Sequence, residues 1–256
     1  MSNLGSLWSH NYMEWIEVTG VSGPNTAPEV SSVNLVTGDG SYFSYNNPVG
    51  IGGVNVFAAR YEDRPTLERD GSIFTLRQTD GSYRRYAQSV GGIRYLLTQI
   101  VDSFGSVTTL TYDASMRLQK ITDATGRFLQ LDYTPVVGDG VPSDTMKIRS
   151  VTDSHGRAAF FRYDSGGRLI KSIDTINITS EFSYGANDFV ERLTTPYGIT
   201  RFQFEDLPGI NSEPGRRIKA IAVGTAVTGG PPRRSVREEL PHTALALSRA
   251  RKRCSG

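Results

Sequence analysis

Apolar and polar residues alternate along most of this 256-residue chain. Runs such as GRFLQLDYT and GRAAFFRYD place apolar side chains at every second position, which is the period of a half-buried β-strand and not of a helix. Asp-Gly pairs at 39–40, 70–71 and 80–81 lie between such runs, and this arrangement is a strong hairpin signal. The pattern predicts β-hairpins from about Trp15 to Phe204, with almost no helix.

A 21-residue repeat follows these first hairpins. Gly105, Gly126, Gly156, Asn177 and Gly198 stand 21, 30, 21 and 21 residues apart, the longer step containing an insertion. An Asp three residues earlier can bond the backbone two residues on, and glycine adopts a positive φ at little cost. Asn tolerates the same region better than most residues. We therefore expect the turns to be made by Asp102, Gly105, Asp123, Gly126, Asp153, Gly156, Asn177 and Gly198.

A tyrosine stands seven residues after each of the first four turn positions. These residues are Tyr112, Tyr133, Tyr163 and Tyr184, and Leu or Phe stands two residues before each. Positions two apart share one face of a strand, so the tyrosines are expected to form a ladder, each cross-strand pair contributing about 0.2–1 kcal/mol. Because one hairpin cannot bury its own face, neighbours must stack, as in other quasi-one-dimensional repeat proteins.

The pattern divides the chain into four parts. An N-terminal segment (1–30) precedes Asp-Gly hairpins (31–99) and the repeats (100–205), whose insertion near 134–146 is Gly/Pro-rich and predicts an extruded loop. In the last repeat the aromatic residues fall at Phe202 and Phe204, one position early. The strand near Thr200–Phe204 is expected to lack a partner, and 206–256 to be an irregular, basic, disordered tail.

Charge and rare residues favour a structural protein over an enzyme. From Val223 onward seven Lys/Arg face two Glu, more typical of a solvated segment than of a specific nucleic-acid site. The histidines and Cys254 lack the spacing of metal ligands, and no nucleophile, base and orienting group can be assembled. His10 is expected to be a satisfied structural residue and His155 a plain turn residue. We expect no catalytic residue, cofactor or metal, and no signal peptide or transmembrane segment.

The repeated words resemble those of the Rhs/YD-repeat family, from the N-terminal LWSHNY at 7–12 to about residue 205. The matching residues are Tyr112-Asp113, Arg117-Leu118, Asp123, Gly126-Arg127, Tyr133, Asp153, Gly156-Arg157, Tyr163-Asp164 and Arg168-Leu169. The resemblance implies a curved, open portion of a spiralling β-shell that encloses a C-terminal toxin in bacterial members. It also implies an effector domain or the remaining shell as partner. Full-length relatives are secreted or lie at the cell surface, whereas this chain expressed alone is expected to stay in the cytoplasm.

Two further expectations accompany the resemblance. The composition changes near Ala222, so the chain is expected to be a truncated or frameshifted piece of a longer shell protein. Sugar binding is the alternative function, since Tyr and Arg side chains can stack on and hydrogen-bond sugar rings. Its candidate residues are Arg127, Arg157, Tyr133 and Tyr163.

Overall fold

The chain is an all-β protein in a computed structural model that describes residues 3–5, 8–22, 29–57, 65–185, 188–210 and 213–224. These residues form nineteen strands and no α-helix. Each strand pair is antiparallel, and most join strands that are consecutive in the sequence. The prediction of an all-β chain of consecutive hairpins is confirmed.

The strands fall into two compact units. The first unit consists of Ser9–Leu131 and Thr152–Gly156, and the second of Met1–Trp8, Asp132–Val151 and Arg157–Gly256. The strands of the first unit are β1 (Trp15–Ser22), β2 (Glu29–Val36), β3 (Tyr42–Asn46), β4 (Val49–Ile51), β5 (Val54–Phe57), β6 (Thr66–Asp70), β7 (Ile73–Arg77), β8 (Tyr83–Val90), β9 (Arg94–Val101), β10 (Val107–Tyr112), β11 (Leu118–Thr122) and β12 (Phe128–Asp132).

Strand β9 has three neighbours and holds the first unit together. Strand β8 pairs with its whole length along one edge. The other edge is shared by β1, which pairs with Arg94–Leu96, and β10, which pairs with Gln99–Val101. The N-terminal strand therefore lies against a strand some 80 residues further along the chain, a non-local pairing that the repeat pattern does not predict.

The core of the first unit is apolar, with one buried acid. Ile16, Val33, Phe57, Leu67 and Phe74 are fully buried. Near them, Glu14 is 5% exposed. Its carboxylate accepts a hydrogen bond from the Tyr86 hydroxyl and pairs with Arg84, whose Nη1 lies 2.6 Å from Oε2. Because each carboxylate oxygen has a partner, the charge is compensated at its buried site.

The second unit contains the later repeats. Its strands are β13 (Ser150–Asp153, which ends in the first unit), β14 (Ala158–Tyr163), β15 (Leu169–Ile173), β16 (Thr179–Tyr184), β17 (Val190–Thr195), β18 (Gly198–Ile210) and β19 (Glu213–Gly224). Tyr133, Ile148, Tyr163 and Leu169 are among its buried residues. The strands from β14 to β19 pair in sequence order.

The insertion between β12 and β13 lies outside the strands and is mostly exposed over 134–146, but buried residues anchor it to the second unit. Asp139, Lys147 and Arg149 are buried, and the Gly140 amide donates to the Tyr163 carbonyl at 3.1 Å. A Cβ on Gly140 would lie 2.4 Å from the backbone of Asp164. Glycine is therefore needed where the insertion meets the chain after β14.

The strand that was expected to end the repeats without a partner has one. Strand β18 pairs with β19 from Ile199↔Gly224 to Ile210↔Glu213, with register shifts at two places. The irregular part of the chain therefore does not begin at 206, because regular strand backbone continues to Gly224. The expected disorder of the remaining tail concerns 225–256, which lies outside the described residues.

Candidate functional site

Seven of the described turns have the same five-residue geometry. The first amide donates to the fifth carbonyl at 2.8–3.1 Å, and the fourth amide donates to the first carbonyl at 2.9–3.2 Å. The fourth residue always has a positive φ, between 59° and 87°. This is the type I turn with a G1 bulge that joins strands in three-residue hairpins. The turns span 37–41, 78–82, 102–106, 113–117, 123–127, 164–168 and 174–178.

In the five turns that begin with aspartate, its carboxylate holds the turn from inside. Oδ1 of Asp102 accepts the amides of Phe104 and Ser106, at 2.9 and 2.8 Å. Oδ1 of Asp123 accepts those of Thr125 and Arg127, at 2.8 and 2.9 Å. The same contacts recur at Asp113, Asp164 and Asp174, and Asp153 accepts the His155 amide at 2.9 Å. These carboxylates act on the backbone of their own turn.

The hydrogen bonds lower the pKa values of the turn aspartates. The Ser106 amide holds the pKa of Asp102 below its ordinary value, and the Thr125 hydroxyl does so first for Asp123. Burial raises the pKa of Asp113 and Asp164, but hydrogen bonds from Arg117 and Arg168 outweigh it, so both pKa values are also lowered. The folded turns therefore favour ionised carboxylates.

Acid is therefore expected to destabilise the repeats. A folded-state pKa below the unfolded value of about 3.8 gives stability that is present above that pH and is lost as the pH falls through the folded value. We expect the urea midpoint to fall between pH 5 and pH 2, and to fall less in Asp123→Asn, which keeps an oxygen acceptor but does not titrate. Equal falls for the two proteins would contradict the role given to Asp123.

The 21-residue repeat contains two turns, of which the sequence pattern shows only one. The second begins with the aspartate of Tyr-Asp, at Asp113 and Asp164. In both, the Arg four residues on returns to this aspartate: Nε lies 2.6 Å from Oδ2 in the Asp113–Arg117 pair and 2.7 Å in the Asp164–Arg168 pair. The Leu that follows is buried in each case, at Leu118 and Leu169. The Tyr-Asp-x-x-x-Arg-Leu word is thus a complete turn followed by a core residue.

The repeat tyrosines Tyr112, Tyr163 and Tyr184 bond the backbone with their hydroxyl groups. Each hydroxyl donates to a carbonyl 15 residues earlier: Tyr112 to Leu97 at 2.7 Å, Tyr163 to Ile148 at 2.7 Å, and Tyr184 to Leu169 at 2.5 Å. Burial raises the pKa of Tyr163 far above its ordinary value, so the hydroxyl remains a donor. The tyrosines therefore link one repeat to the backbone of the one before it.

Each of these three tyrosines also marks a β-bulge. The pairing with the next strand shifts by one residue at Tyr112, Tyr163 and Tyr184. A bulge bends its strand and increases the local twist. The tyrosine ring therefore lies at the bend in its strand, and its hydroxyl donates a hydrogen bond to a backbone carbonyl from there.

The N-terminal segment contacts the repeats of the second unit through Trp8. Its indole Nε1 donates to the Tyr184 hydroxyl at 2.8 Å, and its ring meets Phe182 edge-on at 4.9 Å. Tyr184 in turn donates to Leu169, so an unbroken hydrogen-bond chain joins Trp8 to the backbone at the first residue of β15. Leu7 of the same LWSHNY segment lies outside the described residues.

Gly198 differs from the other predicted turn residues. It is the first residue of β18, is paired with Thr195, and lacks a positive φ. The loop between β17 and β18 is only Pro196–Tyr197, one residue shorter than the other turns. This shorter loop accounts for the early aromatic residues: Phe202 and Phe204 occupy the strand positions that 203 and 205 would hold after a longer turn.

The four candidate sugar-binding residues differ in how far they are buried. Tyr163 is 1% exposed and Tyr133 6%, so neither ring offers a face on which a sugar could stack. Arg127 and Arg157 are exposed at the end of their turns. A sugar site at the two tyrosines would therefore require the strands to separate.

The two described histidines are unlike. His10 is mostly buried, which lowers its pKa, and its Nε2 lacks a hydrogen-bond partner, contrary to the satisfied residue that we expected. His155 is exposed in its turn, with Nδ1 3.3 Å from Ser154 Oγ and 3.9 Å from Asp153 Oδ2. A catalytic triad needs one ring nitrogen for the nucleophile and the other for the carboxylate. Here both groups lie near Nδ1.

The described residues contain no group of three or more His, Cys, Asp or Glu side chains that could hold a metal ion. Nor do they include a helix with the length and apolar character needed to cross a membrane.

Gly126→Val tests the turn geometry. Gly126 has φ +86°, and a Cβ there would have no atom within 4 Å, so the cost is one of backbone conformation alone. We expect the free energy of unfolding to fall by about 1–2 kcal/mol. Gly50→Val, at an exposed strand position with ordinary φ, is the control and should be nearly neutral. Equal urea midpoints for the two variants would contradict the turn assignment.

One family model matches the sequence. Residues 96–127 match the model described as RHS Repeat. This stretch contains Tyr112 and the turns at 102–106, 113–117 and 123–127, so the family match and the recurring hydrogen bonds involve the same residues. No protein with a curated description matches the chain significantly.

Several solved structures are similar over most of the chain at low identity. TcdB2-TccC3 without its hypervariable C-terminal region is 13% identical, with a TM-score of 0.37 over 77% of this chain and 10% of its own. The Photorhabdus luminescens Tc holotoxin pore is 12% identical, with a TM-score of 0.38 over 84% of this chain and 10% of its own. A porin-like protein from Bacteroides uniformis is 12% identical, with a TM-score of 0.34 over 86% and 99%. This chain thus spans about a tenth of the length of the two toxin chains.

Proposed function

Because residues 96–127 are an RHS repeat, we propose that this chain is a structural scaffold of the Rhs type. Its hairpins contribute to a shell that encloses or displays an effector polypeptide, and it reaches its site of action together with the rest of that shell. Enclosure needs walls that hold their shape without a ligand. The observation that carries the proposal is therefore the use of the repeated residues to fix the backbone.

The repeated aspartates and the tyrosines Tyr112, Tyr163 and Tyr184 have partners in the chain itself. The turn aspartates bond the amides of their own turns, and the tyrosine hydroxyls bond carbonyls of the preceding repeat. Such bonds contribute about 0.5–1.5 kcal/mol each, and the contribution recurs with every repeat. Because these repeated side chains already bond the backbone of the chain, they support a scaffold role better than a binding or catalytic one.

The proposal gives the chain no catalytic step. The nucleophile, base and carboxylate that lie closest in the sequence, Ser154, His155 and Asp153, belong to one exposed turn and converge on a single ring nitrogen. An activated serine would need the second nitrogen of the imidazole for its orienting group. We expect His155→Ala to leave every property of the scaffold unchanged.

Protection from protease tests the scaffold function. The chain is produced together with the polypeptide encoded directly downstream in its source genome, and the lifetime of that polypeptide is measured during protease treatment. We expect about tenfold or greater protection over the polypeptide alone, since digestion then requires opening of the enclosing protein. The Gly126→Val chain serves as the weakened scaffold and should protect less.

Two results would count against this function. Equal lifetimes with and without the chain would show that it encloses nothing under these conditions. Binding to a glycan array that is lost in both Arg127→Ala and Arg157→Ala, with the fold intact by circular dichroism, would favour the sugar-binding alternative.

A further inference from the structure

The first unit has a small pocket that the scaffold function does not use. The pocket lies on strands β5 to β8, on the side opposite that of the buried Leu67, Phe74 and Leu76. Its volume is about 160 Å³. A cavity of about 150 Å³ holds one benzene molecule, so the pocket suits a ligand of similar size.

The polar residues of the lining share one face of the sheet. Glu68 on β6 lies directly opposite Thr75 on β7, and Thr75 lies directly opposite Arg85 on β8. Asp70 and Arg77 stand two residues from Glu68 and Thr75 in the same strands, and side chains two apart point to the same side. Both strand pairs run without a register shift over these residues. All five side chains therefore project from one face.

The floor of the pocket is largely apolar. Ile73 lies directly opposite Asp70 in the β6–β7 pair, and Val54 on β5 lines the same space. Thr75 is only 8% exposed, so its neighbours in the lining cover it. A short aliphatic chain can lose water-exposed surface against this floor.

Two of the four charges in the lining neutralise each other. Arg77 Nε lies 2.9 and 2.8 Å from the two carboxylate oxygens of Glu68. The Arg77 guanidinium also lies over the Tyr83 ring, with its central carbon 5.4 Å from the ring centroid. These contacts hold Arg77 at one side of the pocket, and the pair offers little net charge to a ligand.

The other two charges are opposite in sign and unpaired. Asp70 and Arg85 are exposed, and neither forms an ion pair with another described residue. They stand two strands and two residues apart, about 10 Å across the sheet and 7 Å along it, or about 12 Å between Cα atoms. An ion of one sign would be attracted to one end of the pocket and repelled from the other. A ligand that carries both charges is attracted at both ends.

We propose that this pocket binds a small linear zwitterion, in which a carboxylate and an ammonium group are joined by a short aliphatic chain. The carboxylate would lie at Arg85 and the ammonium group at Asp70, and the chain would pack on Ile73 and Val54. A small α-amino acid fits less well, because both of its charged groups are attached to the same carbon and cannot reach both ends. The proposal does not depend on the scaffold function.

A ligand-detected NMR titration of the full chain with three compounds tests the binding. The first compound, δ-aminovalerate, carries both charges, whereas valerate carries only the carboxylate and pentylamine only the ammonium group. We expect δ-aminovalerate to bind about threefold to fivefold more tightly than either of the others, which is the range of a partly exposed ion pair. A preference below about twofold over either compound, or no saturable binding of δ-aminovalerate, would overturn the proposal.

Two variants locate the charges. Arg85→Gln should remove the preference over pentylamine, and Asp70→Ser should remove the preference over valerate. Both residues are exposed, so both variants are expected to fold. Arg127→Gln removes an exposed cation elsewhere in the first unit and should change the affinity less than about twofold. Preferences that survive both replacements, or an equal loss in Arg127→Gln and Arg85→Gln, would overturn the site.

Discussion

Asp139→Ala is expected to lower the free energy of unfolding by about 3–5 kcal/mol, because it leaves a buried guanidinium without its counter-charge. The side chains of Asp139 and Arg149 are 0% and 1% exposed, and Arg149 Nε lies 2.5 Å from Asp139 Oδ2. Nη1 and Nη2 of Arg149 donate to the carbonyls of Lys147 and Val141, at 2.7 and 2.8 Å. The arginine thus binds the middle of the insertion, at Asp139 and Val141, to its C-terminal end at Lys147.

A neighbouring pair provides the matched control for Asp139→Ala. Asp144 and Lys147 lie in the same insertion with their charged atoms 3.7 Å apart, but Asp144 is 35% exposed. Asp144→Ala should therefore cost less than Asp139→Ala, because Asp144 is partly hydrated, although its partner Lys147 is only 6% exposed. Urea unfolding followed by circular dichroism measures both variants. Similar losses for the two would mean that the fully buried Asp139–Arg149 pair matters no more to stability than the partly exposed pair.

A paired replacement separates the charge from the packing. Asp139→Leu combined with Arg149→Met removes both charges while retaining apolar volume, and such exchanges are often neutral or stabilising. We expect the double variant to recover most of the stability lost in Asp139→Ala. A double variant as unstable as the single one would assign the loss to packing or to the carbonyl contacts.

The packed insertion shows where the sequence pattern stops being informative. Gly, Pro and Asp indicate that 134–146 leaves the strands, and it does. The residue that anchors it, Arg149, lies just beyond that stretch in a run that otherwise reads as polar. Burial of an arginine depends on a partner ten residues away and on the Tyr163 ring, whose centroid lies 5.2 Å from its guanidinium carbon. Neither contact has a local signal in the sequence.

The sequence pattern predicts only one of the two turns in the repeat. Turns with glycine or asparagine at the positive-φ position stand out, as at Gly126 and Asn177. The intervening turn at 113–117 has Met116 there, with φ 59°, and a methionine gives no turn signal. Asp113 and Arg117 stabilise that conformation through five hydrogen bonds and an ion pair. The Tyr-Asp motif is recognisable in the sequence, but the turn that it begins is not.

The prediction that the last repeat strand lacks a partner is wrong for a related reason. Repeat words built on Tyr and Phe disappear after Phe204, yet β19 forms from RRIKAIAVG by pairing with β18. Lys219, Ile221 and Val223 stand at alternate positions, but this pattern is only a weak strand signal. β-structure depends more on the partner strand than on intrinsic propensity. The bulge between Gln203 and Phe204 also shifts the register, which hides the pattern further.

Tyr163→Ala is expected to lower the free energy of unfolding by about 3–5 kcal/mol, the usual cost of removing a buried aromatic ring. Tyr163 is 1% exposed, lies beneath the Arg149 guanidinium, and donates to Ile148 at 2.7 Å. Tyr163→Phe keeps the ring and removes only the hydroxyl. It leaves a buried carbonyl without that donor, so we expect a loss of about 1–3 kcal/mol.

The difference between the two Tyr163 variants decides what the repeat tyrosine does. If Phe cost nothing while Ala cost the full amount, the tyrosine would be a packing residue and its bond to the preceding repeat would be incidental. Tyr197→Ala, at a ring that is 75% exposed, is the control for loss of a tyrosine and should change stability by no more than about 0.5 kcal/mol. Tyr112→Phe should reproduce the Tyr163→Phe loss in the first unit, because its hydroxyl donates to Leu97 across the same 15-residue interval. A loss at Tyr163 without one at Tyr112 would confine the hydroxyl's role to the neighbourhood of Arg149 and remove it from the repeat.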